Sequence, residues 1–139
     1  MKSYLDIFTQ SYQRVIGVTR AEKDFFSAFY DAFVSDSSEA AEKFRNVDMQ
    51  AQMQHLRKSL DHMVYFSIDR QDSDEMTRIA RAHSRTGTDV QPALYERWLD
   101  SLIKTVRTYD PQFDEDVEIA WRVVLAPGIA YMKLRYEME

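Results

Sequence analysis

Apolar residues recur along the chain at steps of three and four, the spacing that gathers side chains on one face of an α-helix. Leu5, Phe8, Tyr12 and Val15 define a first helix ending near Gly17. Thr19 and Glu22 have the spacing of a capping box, which predicts a second helix carrying Phe25, Phe26, Phe29, Tyr30, Phe33 and Val34. Asp36 and Glu39 predict the start of a short third helix through Ala40, Ala41 and Phe44. Asp48 then caps a fourth, with Met49, Met53, Leu56, Leu60, Met63 and Val64 on one side. A polar stretch over 69–74 interrupts the pattern, which resumes at Met76, Ile79, Ala80 and His83 until Gly87 supplies a C-terminal stop. Pro92 precedes the run Leu94, Tyr95, Trp98, Leu99, Leu102 and Val106, and Pro111 breaks it. Asp114, Glu115 and Asp116 place negative charge at the start of a last helix whose inner face is Val117, Trp121, Val124 and Tyr131. Pro127-Gly128 predicts a kink in that helix, the alternative being a helix end near Ala126.

Composition narrows this to an all-α chain. The 139 residues contain no internal repeat and no low-complexity divide, so positions 1–139 are read as one unit, with 45% hydrophobic content sufficient for a sizeable core. Three glycines and three prolines leave little turn chemistry for many short strands. A net charge of −5 argues against nucleic acid and anionic membranes as partners. No apolar run is long enough to span a bilayer, and Asp6 and Arg14 interrupt the first segment where a signal peptide would be apolar. A cytoplasmic location is expected.

The absence of cysteine removes disulfides, thiolate metal sites and cysteine nucleophiles. Of the three histidines, His55, His62 and His83, the last is the informative one, because it shares a helical face with Met76, Ile79 and Ala80. An imidazole in such a stripe is either a core histidine bonded to a backbone carbonyl or a neutral metal ligand. One histidine cannot close a zinc site, which takes four ligands. It can supply the single axial bond that haem iron needs from a protein.

Four further pieces stand in order along the chain: Phe29-Tyr30-Asp31, Phe44, Gln52 with Leu56, and His83 followed by Val90-Gln91-Pro92 and Tyr95, with Trp121 beyond. Together they resemble the globin family, in particular bacterial single-domain haemoglobins and the globin domain of flavohaemoglobins. The resemblance covers nearly the whole chain and implies a three-over-three helical sandwich of about seven to eight helices. It also implies haem b (iron protoporphyrin IX) as cofactor and His83 as its metal ligand.

Other roles follow from the resemblance residue by residue. Phe44 and Leu56 resemble residues that pack on the porphyrin. Tyr30 and Gln52 fall where related globins place a tyrosine and a glutamine on the side of the haem away from His83, to donate hydrogen bonds to bound dioxygen. A gapless count from Phe44 would offer Gln54 instead; Gln52 is preferred because Gln54 would bury Lys58. His55, about 60° from Gln52 around the helix, is a candidate for a propionate or for iron, or else a solvated surface histidine. Tyr95 falls where related globins orient the ligating histidine through its second nitrogen. The position of the glutamate that flavohaemoglobins pair with that tyrosine corresponds here to Tyr136, with Glu137 beside it, and two extra residues separate His83 from Tyr95. Arg85 is the candidate for binding a haem propionate.

The resemblance implies binding of diatomic gases (dioxygen, nitric oxide, carbon monoxide); exposed aromatic residues on the last two helices would permit a homodimer as well as a monomer. Nitric oxide dioxygenation or peroxidase-like turnover would draw electrons from an external reductase, because no flavin or nicotinamide domain accompanies the globin unit. Two rivals remain at this point: a haem-based gas or redox sensor signalling to a partner protein, and a haem-free globin-fold interaction module.

Overall fold

The computed structural model describes residues 3–69 and 73–136. Among them are seven α-helices and no strand: α1 (Tyr4–Ile16), α2 (Phe25–Asp36), α3 (Ser38–Lys43), α4 (Met49–Asp69), α5 (Asp74–His83), α6 (Leu94–Tyr109) and α7 (Glu115–Tyr136). None is long and apolar enough to cross a membrane. Most begin at an oxygen-bearing side chain that accepts a backbone N–H of the first turn. Ser3, Asp24, Ser37, Asp48, Ser73 and Asp114 do this for α1 to α5 and α7. For α6 the entry is a turn at Gln91-Pro92, whose carbonyls accept from Leu94 and Tyr95.

Two predicted caps are corrected by these assignments. Ala21 and Glu22 have left-handed φ values of 51° and 65°, while Arg20 and Lys23 exchange both backbone hydrogen bonds. That hairpin-like turn holds Glu22 outside the helix, so Asp24 replaces the Thr19–Glu22 box as the cap of α2. Tyr109 secures the turn by donating to the Lys23 carbonyl at 2.8 Å. Asp36 is likewise the last residue of α2, and Ser37 caps α3.

The helices form two layers. α7 packs against α1, α4 and α5, while α2 and α7 each lie beside α6. This is the three-over-three arrangement, with α3 linking α2 to α4. Phe8, Phe25 and Trp121 meet at the centre of one end, with ring centroids of Phe8 and Trp121 4.6 Å apart. Each such aromatic, fully withdrawn from water, contributes on the order of 2–3 kcal/mol. α7 runs unbroken through Pro127, excluding a helix end at Ala126. The carbonyl that proline deprives of a partner belongs to Val123, which lies on the exposed side where water can satisfy it. Gly128 is buried against α4; a Cβ there would stand 3.0 Å from Met63, so the absent side chain permits the close approach.

A buried polar cluster fastens the same end. Asp110, at the C-terminus of α6, accepts from Arg14 Nε at 2.7 Å and Nη2 at 2.9 Å, and from Ser11 Oγ at 2.6 Å. Ser11 in turn accepts from Trp121 Nε1 at 2.9 Å, so one carboxylate joins α1, α6 and α7. Burial alone would raise the Asp110 pKa, but donors from Arg14, Ser11 and the Gln112 backbone outweigh it and hold the carboxyl below its ordinary range. The folded state therefore prefers the charged form. Its contribution is complete above the unfolded carboxylate value of about 4 and is lost as pH falls through the lower folded value.

Asp110→Asn is expected to destabilise the protein by about 2–3 kcal/mol, the range for losing hydrogen bonds to a charged group. Denaturant unfolding at neutral pH measures this. The same series below about pH 4 should show the wild type and the variant converging.

Candidate functional site

A cavity of about 340 Å³ opens between α2, α3, α4 and α5, closed on its remaining sides by α6, α7 and the loop 84–93. Its walls are mainly apolar, with Phe33, Met63, Leu94, Trp98 and Met132 among them. The volume falls within the range of small-molecule sites, roughly 300–1,000 Å³. No cluster of three or more His, Asp or Glu that could hold a metal ion exists among the described residues.

His83 is the last residue of α5 and faces this cavity. Its Nδ1 lies 2.7 Å from the carbonyl oxygen of Ile79, one turn earlier. A carbonyl can only accept, so the proton resides on Nδ1, and Nε2 is left with its lone pair. Nε2 makes no hydrogen bond among the described residues. Burial lowers the pKa of the ring, an effect the Ile79 carbonyl offsets in part, so the imidazole is neutral at neutral pH. The two readings of His83 turn out to be compatible: one nitrogen is the backbone-bonded core histidine and the other faces open space.

The helix carrying His83 ends at Ser84 rather than at Gly87. The carbonyl of Arg81 accepts from both the backbone N–H and the hydroxyl of Ser84, and that of Ala82 accepts from both donors of Thr88. Gly87 is needed for a different reason than a left-handed cap: a Cβ there would fall 2.4 Å from the Ala82 carbonyl oxygen. The loop thus wraps tightly beneath α5 and returns Thr88 and Val90 to the cavity wall.

Tyr30 enters the cavity from α2 and Gln52 from α4. Gln52 Nε2 donates to Tyr30 Oη at 3.1 Å. Tyr30 spends its oxygen as acceptor in that bond, so its own proton is uncommitted. Burial raises the hydroxyl pKa to about 12 against the lowering effect of the Gln52 donor, and Tyr30 stays protonated. Gln54 and Lys58 are exposed, so the register that selects Gln52 is the one the fold adopts.

The remaining sequence candidates divide. Phe44 caps the C-terminus of α3 and meets Tyr30 edge-on at 5.3 Å between centroids. Leu56 and His55 also line the cavity, Leu56 buried and His55 largely exposed. Tyr95 lines it too, with its hydroxyl pKa raised by burial, yet makes no hydrogen bond to His83. The i−4 carbonyl of its own helix already occupies His83 Nδ1. Tyr136 serves elsewhere: it donates to Asp89 Oδ1 and accepts from Gln91 Nε2 at 3.0 Å, pinning the 84–93 loop to α7. Arg85 does not line the cavity; it is exposed, and its backbone N–H donates to the Tyr136 carbonyl. Lys43 does line the cavity, a residue that sequence reasoning did not single out. Met132 was missed likewise, hidden beyond Pro127 in a helix expected to bend there.

No family profile and no curated protein matches the chain. Among solved structures, the chain resembles a Pseudomonas aeruginosa PAO1 protein described as structurally highly homologous to a human hemoglobin. The two share 33% sequence identity over 96% of this chain and 98% of the other, with a TM-score of 0.88.

With Tyr30 pushed to about 12, Tyr30→Phe should leave the phenolate absorbance gained between about pH 9 and 11 unchanged. A smaller gain in the variant would mean that Tyr30 ionises as an ordinary tyrosine, contradicting the buried, Gln52-bonded geometry.

Proposed function

The chain belongs to the globin family, and we propose that positions 1–139 act as one haem-binding globin unit that takes up diatomic gases beside Tyr30 and Gln52. The observation that supports this best is the commitment of His83 Nδ1 to Ile79, which leaves a neutral nitrogen with a free lone pair facing an apolar cavity.

The donor set fits haem b. A porphyrin brings four nitrogens of its own, so a single imidazole completes what the protein must supply, and no multi-residue metal cluster is required. The apolar walls would cover the macrocycle, with Phe44 and Leu56 among the side chains against it. When bound, haem b supplies an iron with a coordination position for dioxygen, nitric oxide or carbon monoxide.

The chain's own residues then set how a gas is held. His83 gives a neutral nitrogen of fixed tautomer. Tyr30 keeps its proton at Oη and donates it to an electron-rich guest, while Gln52 fixes the orientation of that hydroxyl at 3.1 Å. Around them the apolar wall excludes water, which strengthens each donor. Strong donation slows the release of dioxygen. Among the described residues the partner of His83 Nδ1 is the neutral Ile79 carbonyl and Tyr95 makes no bond to the ring, so no anionic group there increases the electron donation of His83. Dioxygen binding is therefore favoured over chemistry that cleaves it. Any turnover of nitric oxide would draw electrons from an external reductase.

Purified protein supplied with haem should show a Soret band, and His83→Ala should lose it; retention of haem by that variant would move the axial role to His55. In the haem-loaded protein, Tyr30→Phe should speed dioxygen release roughly 5- to 150-fold, the effect of removing a donor worth about 1–3 kcal/mol. Stopped-flow dissociation measures it, and an unchanged rate would remove Tyr30 from gas binding.

A further inference from the structure

We infer that Lys43 is the carboxylate-binding residue at the cavity mouth, holding a carboxylate of an otherwise apolar guest; this deepens the haem reading above and rests on it. Lys43 ends α3, is half-exposed, and lines the cavity beside Phe44, so it stands where the apolar wall meets solvent. Its ammonium reaches across to the loop after His83, donating to the carbonyl of Thr88 at 2.7 Å and of Asp89 at 2.9 Å.

The donor count carries the argument. An ammonium has three hydrogens, and two neutral carbonyls use two of them while fixing the nitrogen's position. One donor and the full positive charge remain unspent. Lys23, Lys104 and Lys133 each meet a carboxylate, in Asp31, Asp36 and Glu96. Lys43 has no such partner among the described residues. The nearest acidic residue along its bonded loop, Asp89, is engaged at Oδ1 by Tyr136 and Gln91 and is held in a left-handed conformation with φ 55°. A cation oriented by neutral groups at the edge of an apolar cavity is complementary to an apolar molecule with an anionic edge. His55, exposed on the same cavity, is the rival for this role, whereas Arg85 stands outside the cavity lining.

The test compares metal-free protoporphyrin IX with its dimethyl ester, followed by porphyrin fluorescence in the apoprotein. Without iron, the bond to His83 drops out and the two guests differ only at their carboxylates. Wild type should bind the dicarboxylate more tightly than the ester. Lys43→Met should shrink that preference about fivefold, the size of one partly exposed ion pair, and Lys43→Arg should restore it. Equal weakening of both porphyrins by Lys43→Met would overturn the inference, leaving Lys43 as a tether for the loop alone. A preference abolished by His55→Ala and untouched by Lys43→Met would overturn it in favour of His55. Haem addition in parallel separates the two levels: a Soret band with an unaffected preference sinks the Lys43 inference only. Absence of both the Soret band and porphyrin binding sinks the haem reading with it.

Discussion

A single hydrogen bond, from His83 Nδ1 to the carbonyl of Ile79, decides what the cavity can do. It fixes the tautomer, and with burial it keeps the ring neutral, so the other nitrogen presents a lone pair instead of a proton. The bond is made within one turn of one helix and needs no other element. What the rest of the molecule supplies is the space in front of the ring: α2, α3 and α4 bring Tyr30, Phe44 and Gln52, and the loop beneath α5 brings Thr88 and Val90.

That space has a structural cost, because an apolar cavity forgoes the packing that would otherwise fill it. The stabilising contacts are concentrated away from it. Trp121, Phe8 and Phe25 interlock at one end, and the Asp110 carboxylate joins three helices there through Arg14 and Ser11. Gly128 brings α7 close to α4 at Met63, a residue that also lines the cavity, so the tight helix contact and the open site share a wall. A guest that filled the cavity would add contacts to the folded state alone and so stabilise it.

The cavity rim joins parts of the chain that are distant in sequence. Lys43 reaches the 88–89 backbone, and Tyr136 reaches Asp89 and Gln91 from the far end of α7. Asp89 is the common point, a left-handed residue held from α3 by Lys43 and from α7 by Tyr136. Among the described residues no glutamate of α7 pairs with Tyr95, and Glu137 lies outside them. Tyr136, in the glutamate's place, faces the loop and leaves Tyr95 unbonded.

The helices, the inward faces of Phe29, Leu60 and Trp121, and His83 as the odd polar member of an apolar stripe were legible from the amino-acid order alone. Each depends on a repeat of three to four residues and on caps within one turn. Even the choice of Gln52 over Gln54 was legible, because it follows from which side of α4 must be buried. Errors arose wherever a local pattern competed with a distant contact. Thr19–Glu22 matches a capping box, but Tyr109 holds the turn in another shape. Arg85 is near His83 in sequence, yet it does not line the cavity. Lys43 and Met132, far from His83 along the chain, became its neighbours only when helices crossed. Periodicity specifies which way a side chain faces on its own helix; what it meets there depends on long-range packing, which has no period to read.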